Sequence, residues 1–122
     1  MSSSLEERLR EMTARRKRAH ARLFESGSAV YAGFLEMERA AYADGALAKK
    51  YKELIAVGIS VVENCESCMQ WHIGEAAHAG ASWEEILAAI EVAIEMRGGP
   101  ATVSARFALE VMDAAGLKPA TD

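Results

Sequence analysis

The sequence predicts an all-α fold of about six helices, and three observations carry that reading. No stretch shows sustained two-residue alternation of the strand kind. Ala, Leu, Glu, Lys, Arg and Met dominate, and these are good helix formers. The helix breakers fall at regular intervals and cut the chain into about six pieces. At 122 residues the chain fits one domain spanning 1–122, long enough to bury a core without staples.

The first piece covers residues 4–25. Ser4 and Glu7 form a candidate capping box, and Leu5, Leu9, Met12, Ala19 and Leu23 follow helical spacing up to Gly27. The second runs from Ser28 to Ala43, with Val30, Phe34, Met37 and Ala41 on one stripe, and Asp44-Gly45 signals a turn. The third, Leu47 to Glu63, is apolar all round at its centre and is expected to be the buried central helix. Asn64 is expected to cap a fourth helix, Cys65 to Ala79, which ends at Gly80. Ser82 and Glu85 form a second capping box that opens a fifth helix reaching Arg97. Gly98-Gly99-Pro100 breaks the chain, and Pro100 suits the first turn of a sixth helix ending near Ala115.

Composition excludes several classes. Hydrophobic residues at 51% and charged residues at 26% are a globular balance, not that of a disordered chain. The longest apolar run, Leu54 to Val62, is too short to span a bilayer. The N-terminus carries no apolar signal region, so a cytoplasmic protein is expected. The net charge of −4 divides unevenly, with +3 on residues 1–26 and −7 on the rest. An acidic body argues against nucleic-acid binding. The basic cluster Arg15, Arg16, Lys17, Arg18 reads as a solvated helix face.

One local signal points to chemistry: Cys65-Glu66-Ser67-Cys68-Met69-Gln70-Trp71-His72. On a helix, Cys65, Cys68 and His72 share one face. At a helix start the unpaired amides and the macrodipole favour a thiolate. A His one turn on can exchange a proton with it, and a second thiol permits a reversible disulfide. Three readings stay open on spacing alone. The first is a thiol redox site. The second is a zinc site using Cys65, Cys68 and His72 with Glu63 or His78, although no second ligand pair closes it. The third is a pair of small core cysteines beside an incidental His. Glu53 is the acidic residue within Lys49–Val62, one turn before the most apolar segment. It is either a proton relay or a charge at an exposed helix start paired with Lys49, Lys50 or Lys52. His20 reads as solvated, and Trp71, Trp83, Met69, Met96 and Phe107 as core or interface residues.

Together, Lys52-Glu53-Leu54-Ile55, Cys65-Glu66-Ser67-Cys68 with His72, Ala79-Gly80-Ala81, Glu84-Glu85-Ile86 and Gly98-Gly99-Pro100-Ala101 resemble the AhpD-like, carboxymuconolactone decarboxylase-related superfamily. The resemblance covers residues 45–115; the N-terminal basic helix, residues 4–25, lies outside it. It implies an all-helical fold with the CxxC at the start of a core helix, assembled as a homo-oligomer such as a trimer or hexamer. For the alkylhydroperoxidase branch it implies hydroperoxide reduction without a cofactor. Cys68 would be the peroxidatic thiol, Cys65 the resolving one, and Glu53 and His72 the proton relay. A dithiol protein would be the reductant. The decarboxylase branch proper lacks the CxxC pair. The chain departs from the peroxidase branch at Ser67: members of that branch carry a His directly before the second Cys. A redox-sensing or thiol–disulfide exchange module without rapid turnover is the alternative function.

Overall fold

The computed structural model describes residues 2–121 and contains six helices in chain order, with no strand among the described residues. They are α1 (Ser2–Glu25), α2 (Ala29–Tyr42), α3 (Lys49–Val62), α4 (Glu66–His78), α5 (Trp83–Arg97) and α6 (Gly99–Ala114). The all-α expectation and the element order hold. The chain divides into two compact units, Met1–Ala43 and Asp44–Asp122.

The first unit is the pair α1 and α2. Helix α1 begins at Ser2, ahead of Ser4. Ser4 therefore lies within the first turn and is not the N-cap the sequence suggested, since a cap needs non-helical dihedrals. Ser28 does cap α2, its hydroxyl accepting from Tyr31 N at 3.1 Å. His20 Nδ1 sits 2.6 Å from the Tyr31 hydroxyl, and its ring meets the Tyr31 ring edge-on, which ties α1 to α2. No residue of α2 is buried, and Val30, Phe34 and Met37 of its apolar stripe are exposed.

The second unit holds the core and the site. Helix α3 packs against α4, α5 and α6, which confirms its central place. Its start is set by the Asp44–Gly45 turn: Asp44 Oδ1 accepts from Lys49 N at 2.7 Å, supplying the cap that Ala48 cannot. Ala56, Val57, Ser60 and Val61 of α3 face inward and meet Met69, Ile73, Ile86, Ile90, Ala108 and Met112, all buried. The Ser82–Glu85 capping box of α5 forms as expected. Glu85 also uses its second oxygen, Oε2, to accept from Lys50 Nζ at 3.0 Å, so one carboxylate joins the starts of α3 and α5. That arrangement holds Glu85 below its ordinary pKa, first through the Ser82 backbone amide and then through Lys50. Gly98 separates α5 from α6 at φ +79°, a backbone region open to glycine, and Pro100 lies in the first turn of α6 as expected.

The expectation of an all-round buried α3 is corrected by its outer face. Ile55 is 51% and Ile59 56% exposed. With Gly58, Val62, Val92 and Met96 they line an apolar groove of about 700 Å³ between α3 and α5. The two helices come close where Gly58 faces Ala89, and a Cβ there would meet the Ala89 carbonyl oxygen at 3.3 Å. Helical periodicity gives the apolar content of a face but not whether a neighbouring helix covers it.

Core and groove should respond differently to truncation. Ile90→Ala, at a fully enclosed position, should cost about 2–5 kcal/mol in denaturant unfolding. Val92→Ala, two residues on and 63% exposed, should stay within about 0.5 kcal/mol. Equal losses at both positions would contradict this assignment of the core.

Candidate active site

The site is built at the crossing of α3 and α4. The chain leaves α3 through Glu63 and turns at Asn64, which adopts φ +55°. Asn is one of the few side-chain-bearing residues that takes this left-handed conformation readily. Its Oδ1 accepts from the Ser104 hydroxyl of α6 at 2.8 Å, which fixes the turn against the core. Asn64 is therefore not the cap of α4, as the sequence suggested. That role belongs to Cys65, whose backbone is extended and whose Sγ accepts from Cys68 N at 3.4 Å. The displacement by one residue follows from the left-handed turn, which Asn64 makes and Cys65 then exits.

Neither cysteine is in a disulfide; Cys65 is half-buried and Cys68 exposed. Cys65 thus places its sulfur against the amide end of α4, where the macrodipole favours negative charge. His72 lies one turn beyond Cys68 on the same helix face. Its Nδ1 is 2.7 Å from Glu53 Oε1. Glu53 is 1% exposed, so this carboxylate is buried and does not sit at an exposed helix start. Its other oxygen, Oε2, accepts from Lys49 Nζ at 2.5 Å. His72 and a flanking lysine, both offered by the sequence as partners of Glu53, are therefore present together.

Two further residues complete the cluster. Lys49 Nζ also reaches Glu75 Oε1 at 3.0 Å, and Glu75 Oε2 lies 3.9 Å from His78 Nδ1 on the exposed end of α4. Burial alone would lower the Lys49 pKa, but its hydrogen bonds to Glu53 and Glu75 outweigh that and leave it raised. A carboxylate with an ammonium on one oxygen offers only acceptor sites. His72 Nδ1 therefore carries the hydrogen toward Glu53. Glu75 escaped the sequence reading, although Cys68, His72 and Glu75 stand at i, i+4 and i+7 and so share a stripe of α4. Among the described residues no three of His, Cys, Asp and Glu are grouped to hold a metal ion. No helix among them is long and apolar enough to cross a membrane.

The sequence pattern of the carboxymuconolactone decarboxylase family matches residues 28–111, most of the chain. The chain belongs to the carboxymuconolactone decarboxylase family. It is 42% identical over 88 residues to an uncharacterised protein of the cox locus of Paracoccus denitrificans, covering 72% of this chain and 79% of that one. Among solved structures, a carboxymuconolactone decarboxylase family protein of Legionella pneumophila superposes with a TM-score of 0.84 at 31% identity, over 88% of this chain and 96% of that one. Another member, from Thermotoga maritima, gives a TM-score of 0.76 at 25% identity, over 91% and 99% of the two chains. That protein is described with a suggested involvement in antioxidative response. The family assignment thus agrees with the resemblance carried by the Glu53, CxxC and His72 pattern, and the all-helical fold follows the family.

Two outcomes test this geometry. Asn64→Ala should lose about 1–2 kcal/mol from the left-handed backbone alone, whereas Asn64→Gly should lose less, because only the Ser104 contact goes. Chemical denaturation of both variants separates these contributions; equal losses would remove the backbone argument. The raised Lys49 pKa implies a stabilising contribution that is fully present below the ordinary lysine value and is lost as pH rises through the raised one. Unfolding free energies followed into the alkaline range should decline less steeply in Lys49→Met than in the parent.

Proposed function

We propose that this carboxymuconolactone decarboxylase family member is a thiol-dependent hydroperoxide reductase using Cys68, Cys65, His72 and Glu53. The observation that carries the reading is the 2.7 Å contact between buried Glu53 and His72, one helical turn from an exposed thiol that is in no disulfide, at a helix start.

The chemistry balances in three steps. His72 Nε2 takes the Cys68 proton, and the imidazolium is held by Glu53. The Cys68 thiolate attacks the terminal peroxide oxygen; the O–O bond breaks, and the departing alkoxide takes the proton back from His72 and leaves as an alcohol. Cys68 is then a sulfenic acid, oxidised by two electrons. Cys65 attacks its sulfur, a disulfide forms, and water leaves. A dithiol protein finally donates two electrons and two protons, is itself oxidised to a disulfide, and restores both thiols. A reducing cytoplasm suits two reactive thiols, and the open apolar face of α3 and α5 suits assembly as a homo-oligomer. The Thermotoga relative's description is consistent with a peroxide-directed role.

One observation favours a second reading, a redox-sensing module. Cys65 Sγ is the cap of α4, so a Cys65–Cys68 disulfide would alter the start of that helix whether or not turnover is fast. Peroxide consumption in excess dithiol separates the two, because a sensor reacts once and slowly, without rapid turnover.

Cys68→Ser should abolish turnover of an organic hydroperoxide. Cys65→Ser should complete one turnover and stall with a trappable sulfenic acid. Thiol titration of denatured protein before and after one equivalent of peroxide should show both thiols lost in the parent and restored by dithiol. Survival of both thiols would overturn the proposal.

A further inference from the structure

Glu53 is held from two sides by two helices. One oxygen meets His72 of α4, and the other meets Lys49 of its own helix, one turn back. Lys49 is in turn shared with Glu75, three residues beyond His72 on α4. The order Glu75–Lys49–Glu53–His72 therefore crosses between α3 and α4 twice, at the level of the site and one turn away from it. We infer that Lys49 is a positioning residue that fixes the Glu53 carboxylate toward His72, and that Glu75 anchors Lys49 in that pose.

The physical argument starts from freedom. A glutamate side chain has three rotatable bonds, and one hydrogen bond leaves its carboxylate free to turn about the last of them. An ammonium on Oε2 removes that freedom and leaves Oε1 as the acceptor for His72. An ammonium is itself a point donor with three hydrogens on a flexible stem. With Glu53 as its sole acceptor it could follow the carboxylate out of position; Glu75, half-buried on the opposite helix, prevents this. The charge count agrees with the pose. Lys49 stands between two carboxylates, and its raised pKa keeps it an ammonium through neutral pH. The consequence for chemistry lies in the tautomer of His72. With Glu53 fixed as acceptor, Nδ1 holds the hydrogen and Nε2 stays basic. With Glu53 released, the imidazole distributes between both tautomers and the fraction competent to deprotonate Cys68 falls. This effect on Cys68 rests on the role proposed above for His72; the effect on the tautomer does not.

The test uses the full chain with ¹⁵N-labelled histidine and the variants Lys49→Met, Lys49→Arg and Glu75→Gln. Two quantities are read: the ring-nitrogen shifts of His72, which report its tautomer, and the rate at which iodoacetamide alkylates Cys68, located by peptide mass spectrometry. The parent should show an Nδ1–H tautomer. Lys49→Met should mix the tautomers and slow alkylation by about tenfold, less than the about hundredfold expected from losing the acid–base group itself. Lys49→Arg should restore most of both signals, and Glu75→Gln should fall between. Unchanged His72 shifts in folded Lys49→Met would overturn the inference, as would an arginine variant no better than the methionine one. If Lys49→Met does not fold, Glu75→Gln decides: a parental tautomer and alkylation rate there remove the anchor. A parent inert to hydroperoxide, whose His72 tautomer nevertheless depends on Lys49, would sink the peroxidase reading and leave the positioning role standing.

Discussion

The buried carboxylate of Glu53 is the constraint on which the site and much of the second unit depend. Enclosing an ion costs several kcal/mol after relaxation, and that cost is offset only if both oxygens find strong donors in good geometry. One donor, Lys49, is local and comes with the helix. The other, His72, is nineteen residues away and arrives only if α4 lies against α3 in one register. The left-handed turn at Asn64, its tie to Ser104 on α6, and the Asp44 cap at the start of α3 all serve that register. Among the described residues, buried side-chain nitrogen and oxygen atoms all have partners, as such a site requires.

Helix α4 begins at a thiol rather than at a hydroxyl or carboxamide. A sulfur is a weak acceptor as a thiol and a stronger one as a thiolate. The Cys68 amide rests on the Cys65 sulfur at 3.4 Å, so one contact both finishes the helix and ties the two cysteines together. Ser and Asp would cap as well or better, so helix stability alone does not select cysteine at this position.

Much of the fold is legible in the residues. The Ser82–Glu85 box, Ser28, Gly98 and Pro100 mark helix ends because each supplies a local hydrogen bond or dihedral that does not depend on distant chain. The motif at Cys65, Cys68 and His72 is visible for the same reason, since helical spacing alone aligns it. What escaped is non-local or ambiguous by one residue. The sequence makes Asn64 a cap, because Asn caps and Asn in left-handed turns have one signature, and only the Ser104 contact distinguishes them. It offers Lys49, Lys50 and Lys52 as equal partners for Glu53. Packing selects Lys49 and sends Lys50 to Glu85. The open face of α3 was hidden because an apolar run specifies dehydration, not the element that provides it.

Gly58 has a reach beyond its own position. Where α3 passes Ala89 of α5 there is no room for one more carbon, the Ala89 carbonyl oxygen lying 3.3 Å from where a Cβ on Gly58 would stand. A methyl there would wedge the pair apart at one point, and rigid helices convert such a wedge into a change of crossing angle along their whole length. The mouth formed by Ile55, Ile59, Val92 and Met96 would widen at one end and narrow at the other. The shape of that apolar surface is thus governed by one backbone position acting as a fulcrum, while Glu53 is enclosed against α4 on the other side of the same helix.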